Sequence, residues 1–158
     1  MAGRRTFFSF HFQNDIWRAN VVRNAHAVDA VARVPFTDAS LWEEAKKKSD
    51  EAIHKMIDLA LIGTTVTVVL IGSDTANRKF VKYEIAQSKA RGNGLLGVRI
   101  HNIENEHGLG SSAGPVPAGV TTVIPWNRST FGASVEKAAL AAGKNCLAHA
   151  RNPCYLCG

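Results

Sequence analysis

The chain has 158 residues, 46% of them hydrophobic, and a formal net charge of +6. That length fits one domain with an ordinary buried core, and the composition excludes a disordered chain. No apolar run approaches the length of a membrane span and no signal-peptide pattern opens the sequence, so a cytoplasmic protein without membrane contact is expected. The positive charge suits an anionic partner such as a nucleotide. Nucleic acid would qualify as well, but the basic run Lys46-Lys47-Lys48 is short and lacks interleaved aromatics, which favours mere solubility as the role of the charge.

In chain order, Arg5 to Phe10 reads as a first strand. Asn14 or Asp15 is placed to cap a helix whose apolar positions Trp17, Val21, Ala25 and Val28 recur at helical spacing. Val31 to Phe36 is a second strand, and Pro35 assigns it to a sheet edge. Asp38 to Trp42 is a loop. Ser49 to Leu61 is an amphipathic helix with Ile53, Met56, Ile57, Ala60 and Leu61 on one face. Thr65 to Ile71 is almost unbroken Val, Leu and Ile, the pattern of a strand buried on both faces of a parallel sheet. A polar turn, Gly72 to Arg78, then leads into a helix carrying Tyr83 and Glu84. Leu95 to Ile100 and Thr121 to Trp126 are further strands. His107 to Gly119 between them is a Gly/Pro/Ser loop, expected to be the most mobile segment. Val135, Ala138, Ala139 and Ala142 mark a last helix.

Strands alternating with helices predict a three-layer α/β fold, flavodoxin-like, with a five-stranded parallel sheet in the order 2-1-3-4-5 and helices on both faces. Strands 1 and 3 are then neighbours at the switch point, where such sheets bind ligands. Ser9, Phe10 and His11 should meet Gly72 to Thr75 there. Asp38, Ser40 and Trp42 come from the loop after strand 2, and Tyr83 and Glu84 from the helix after strand 3.

Several motifs fail on context. Gly92-Asn93-Gly94-Leu95-Leu96-Gly97 spells G-x-G-x-x-G, but it follows a helix and opens a strand, the reverse of a dinucleotide fingerprint. Gly92 is read as a helix C-cap. The segment Ser9 to Gln13 is not a flavodoxin phosphate loop, and no acidic cluster follows strand 1 as a phospho-receiver requires. Ser9, His11 and Asp15 lack any nucleophile-elbow signal. Residues 146–158 form a Cys-rich tail beyond the domain of residues 1–145. Its Cys146, His149, Cys154 and Cys157 are zinc-competent ligands, but they enclose less chain than a zinc site usually does, so no metal is assigned.

By position alone, Glu84 is either a solvated helical glutamate or a functional carboxylate. The run Val68-Val69-Leu70-Ile71-Gly72-Ser73-Asp74-Thr75, followed by Arg78, Val81, Tyr83, Glu84 and Ile85, resembles the TIR-like domains of prokaryotic Thoeris anti-phage defence proteins. So do Arg5 to Phe10 with Asp15, Trp17 and Arg18, the segment Gly94 to Val98, and Trp126. The resemblance covers about residues 4 to 142 and leaves out the Cys-rich tail. It implies NAD+ as substrate, with no separate cofactor, and a catalytic glutamate at Glu84. It further implies an ADP-ribosyl cyclase or NAD+ glycohydrolase, a homo-oligomer, a phage-derived trigger, and a separate effector reached through a diffusible nucleotide. One carboxylate suffices for that chemistry, because breaking the nicotinamide–ribose bond builds positive charge on the sugar and the pyridinium leaves without a general acid. Phe10 or Trp42 could stack on a base ring, and Ser9, Ser40 or Thr75 could bond ribose or phosphate. The alternatives are a non-catalytic TIR-like assembly module and a basic nucleic-acid binder.

Overall fold

The computed structural model describes residues 4–25, 30–31 and 47–143, with residues 30–31 described in backbone only. Four strands form the body of one parallel sheet: β1 (Arg5–Ser9), β3 (Val66–Ile71), β4 (Gly94–Arg99) and β5 (Val123–Pro125). A two-residue strand, β2 (Ala30–Val31), pairs with Arg5 and Thr6 at the outer edge of β1, which gives the order β2-β1-β3-β4-β5. The expected strand Val31 to Phe36 is therefore seen only at its start. Pro35, the loop with Ser40 and Trp42, and the tail with Cys146, His149, Cys154 and Cys157 lie outside the described residues.

All six residues of β3 are buried, as a central strand covered on both faces requires. Its side chains alternate between two layers. Val69 and Ile71 pack with Val81 and Ile85 of the helix α3 (Lys79–Ala90). Val66, Val68 and Leu70 join a larger cluster with Phe131 and Val135 of α4 (Phe131–Ala141). Helix α2 (Asp50–Leu61) starts where Ser49 accepts the Ala52 amide at 3.3 Å, and it buries Ile53, Ile57 and Leu61 on the predicted face. Helix α3 ends at Ala90 with Arg91 in the C-cap position, and Gly92, expected as the cap, follows it with φ of 70° and an N–H bond to Lys89 O.

Helix α1 (Phe12–Arg23) corrects the sequence reading twice. It begins two residues before Asn14, with His11 in the N-cap position. Its buried face is Phe12, Asp15, Arg18, Ala19 and Val22, while Trp17 and Val21 are 46% and 39% exposed. Hydropathy misled here because an ion pair occupies the core-facing stripe. Arg18 lies 3.2 Å from Asp15. It also donates to Ile103 O at 2.8 Å and to Leu109 O at 3.1 Å. Those bonds tie down the connection between β4 and β5. Arg99 adds a bond to Gly114 O at 2.9 Å, so the segment expected to be mobile has several attachments.

Asp15 also fixes the turn after β3. Its Oδ2 has no hydrogen-bond partner among the described residues and lies against Gly72. A Cβ on Gly72 would sit 2.2 Å from that oxygen. Burial pushes the Asp15 carboxyl up, against the pull of Arg18. Gly72→Ala should therefore destabilise the fold by about 1–3 kcal/mol, as overpacking does. Urea denaturation checks this, and an unchanged midpoint would contradict the close contact.

Candidate active site

The parallel pairing of β1 with β3 runs from Thr6–Val66 to Ser9–Val69. It brings the carboxyl end of β1 beside the turn that feeds α3. A cavity of about 380 Å³ opens there, lined by residues 8 and 10–13 at the end of β1 and start of α1, and by residues 77–81 and Glu84 of α3 and its approach.

Glu84 is 94% buried in this wall, not solvated (6% exposed). Ser9, fully buried at the end of β1, donates its hydroxyl to the Glu84 carboxylate. Burial pushes the Glu84 carboxyl up to about 8, and the Ser9 bond opposes that rise only in part. The backbone is held as well. Ser88 donates to Glu84 O at 2.7 Å, and its oxygen lies 2.6 Å from Thr67 Oγ1 on β3. Since the single Ser88 proton goes to the carbonyl, Thr67 is the donor to Ser88. The chain Thr67–Ser88–Glu84 pins one turn of α3 to the central strand and fixes the carboxyl's place over the sheet edge.

The other walls are aromatic and basic. Phe10 stacks on Phe12 with centroids 6.1 Å apart, leaving Phe10 half-buried on the cavity. His11 lines the same space and is 7% exposed. Burial and the neighbouring Arg78 push the imidazole down, against the opposing pull of Asp74. Arg78 is paired with Asp74 at 2.5 Å and contributes to the opposite wall.

Of the sequence-predicted residues, Ser9, Phe10, His11 and Glu84 thus come together. Thr75 does not line the cavity. It is fully buried inside the turn, where its hydroxyl accepts from Gly72 N at 2.8 Å and donates to Leu70 O at 3.2 Å. Tyr83 points to the other side of α3. Its hydroxyl donates to the Asp58 carboxylate at 3.0 Å, and its ring stacks on His54 at 3.8 Å. Tyr83 therefore locks α3 to α2. Ser40 and Trp42 lie outside the described residues. Sequence reasoning did not assign Gln13 or Phe80 to the site, whereas Arg78, which the turn after strand 3 offers at the carboxyl end of that strand, does line the cavity.

The arrangement can hold a ring against Phe10, an anion near His11 and Arg78, and a developing cation near Glu84. Among the described residues no group of three or more His, Cys, Asp or Glu side chains could hold a metal ion, and no helix is long and apolar enough to cross a membrane.

Residues 7–105 match the family described as "Thoeris protein ThsB, TIR-like domain". The match takes in the end of β1 from Phe7 and all of β3, α3 and β4, and so includes Ser9, His11, Arg78 and Glu84. A curated relative from Bacillus cereus (strain MSX-D12), named "Putative cyclic ADP-D-ribose synthase ThsB1", is 47% identical over 117 residues. That alignment covers 72% of this chain and 60% of the relative, so the chain spans about three-fifths of the relative's length. With well over half of its residues matched, the chain belongs to the TIR-like domain family of the Thoeris protein ThsB.

Proposed function

We propose that this chain cleaves the nicotinamide–ribose bond of NAD+ at Glu84 and closes the ADP-ribose into a cyclic nucleotide. That product would act as a diffusible signal to a separate effector in anti-phage defence. The observation that carries the reading is the buried Glu84 carboxyl, held by Ser9 on the cavity wall. The relative's name supports the cyclic product.

The chemistry follows from charge. Loss of nicotinamide turns a cationic pyridinium into a neutral leaving group and moves positive charge onto the ribose. An anion fixed beside the ribose stabilises that transition state more than the ground state. In the free protein Glu84 is held largely protonated near neutral pH by burial. A pyridinium entering beside it favours the ionised form, since an opposite charge at close range lowers a carboxyl pKa. Substrate thus generates the carboxylate that the reaction needs. Ser9 keeps one carboxylate oxygen oriented as the charge develops. Cyclisation requires the adenine to fold back onto the ribose while water stays out, and Phe10 offers a face for the ring.

The same carboxyl costs stability. Its folded pKa of about 8 lies above the ordinary 4.5, so its favourable contribution is complete below pH 4.5 and is lost as the pH rises towards 8. Glu84→Gln keeps the shape and removes the charge. It should lower NAD+ turnover at least about a hundredfold, the scale of losing a principal electrostatic group. Chromatography of nicotinamide and of a product one water lighter than ADP-ribose reads this out; turnover retained by the variant would remove Glu84 from the mechanism. The variant should also melt higher than the parent at pH 8.5 and by a much smaller margin at pH 5. A melting-temperature difference independent of pH would mean that Glu84 is ionised throughout. For the parent, kcat/KM reports the free enzyme. It should rise about tenfold per pH unit on the acid side and level off above about 8. A flat profile between pH 5 and 8 would contradict the buried-acid account.

A further inference from the structure

Two helices begin on this cavity, and both begin without a cap. Helix α1 opens after His11 and α3 opens after Arg78, and neither N-cap side chain accepts a helix N–H. Ser, Thr, Asp and Asn are the residues that normally do so. Here the two positions carry a histidine and an arginine, both hydrogen-bond donors. The first turn of α3 contains no acidic residue. The acid in the first turn of α1 is Asp15, which turns away to Arg18 and Gly72. The positive ends of two helix dipoles and their unbonded amides are therefore left facing one space.

An independent observation points to a ligand. His11 lines the cavity and is 93% buried, and its Nδ1 has no hydrogen-bond partner among the described residues. A buried polar atom without a partner is costly unless something completes it.

We propose that the N-termini of α1 and α3, with His11 and Arg78, form a diphosphate-binding cleft that takes one phosphate on each helix. This rests on the dinucleotide reading above, and it locates the substrate's charged centre. The spacing is consistent. Glu84 follows Arg78 by six residues, about 9 Å of helix rise, which leaves room for a ribose and its 5′-methylene between carboxyl and phosphate. Electrostatics agree as well, because the anion sits at the basic helix ends and the cationic pyridinium sits at the carboxyl. Lys79 is paired with Asp50 at 2.8 Å and Arg78 with Asp74 at 2.5 Å, but a guanidinium has five N–H donors, so Arg78 is the cation that can hold Asp74 and a phosphate together.

Titration calorimetry of the full chain with ADP-ribose, adenosine and inorganic pyrophosphate tests this. ADP-ribose should bind about tenfold or more tighter than adenosine, pyrophosphate should displace it, and added salt should weaken it, as charge-assisted bonds predict. Arg78→Ser supplies an ordinary cap, and His11→Asn keeps a donor while adding one. Each should cost ADP-ribose about tenfold in affinity, the loss of one charge-assisted contact, and leave adenosine unchanged. Arg78→Ser should hold or raise the melting temperature, whereas a merely structural arginine would lower it and leave ADP-ribose affinity intact. Equal affinity for ADP-ribose and adenosine, or ADP-ribose binding untouched by both variants, overturns the proposal. Glu84→Gln separates the two readings. If the parent shows no NAD+ turnover but its ADP-ribose grip depends on Arg78 and His11, the cleft stands and the catalytic reading falls. If Glu84-dependent turnover is present without that grip, the reverse holds.

Discussion

The lateral pairing of β1 with β3 is the constraint on which the site depends. It joins residues 6–9 to residues 66–69, and these four successive Cα pairs fix the register. A slip of one residue would send Ser9 to the opposite face of the sheet, because strand side chains alternate. Ser9 and Glu84 are 75 residues apart in sequence, and their hydrogen bond exists only in this register. The fully buried β3 keeps the register, since every one of its side chains is committed to one layer or the other.

Helix α3 divides its work between two faces. One presents Glu84 to the cavity, with Val81 and Ile85 against the sheet. The other presents Tyr83 to Asp58 and His54 of α2. Adjacent positions 83 and 84 therefore face opposite ways: one fixes the helix among its neighbours and the other presents a buried carboxyl to the cavity. A rigid mount matters for a buried carboxyl, because its ionisation depends on what lies within a few ångströms of it.

Much of this was legible in the sequence. The apolar run of β3, the periodicity of α2 and the strand–turn–helix order determine an α/β parallel sheet, and Ser9, Phe10, His11 and Glu84 meet where that topology places them. What pattern could not supply is the partner of each polar group. Thr75 and Tyr83 look like ligand contacts because they are polar and near the switch point, yet their hydroxyls are taken up by Leu70, Gly72 and Asp58. Trp17 and Val21 look like a core stripe because they are apolar at the right interval, yet the buried stripe carries Asp15 and Arg18. Both differences have one origin. Hydropathy scores a side chain alone, whereas a buried charge or hydroxyl is tolerated according to its partners.

The attachments of Arg18 also impose an order on assembly. Asp15 is one turn away and available as soon as α1 exists, but the carbonyls of Ile103 and Leu109 lie 85 and 91 residues downstream. On the ribosome α1 emerges long before them, and chain growth is slow relative to helix formation. During that interval the guanidinium remains hydrated. Helix α1 can settle fully against the sheet only after the connection following β4 has been synthesised, so this helix is finished long after it is made.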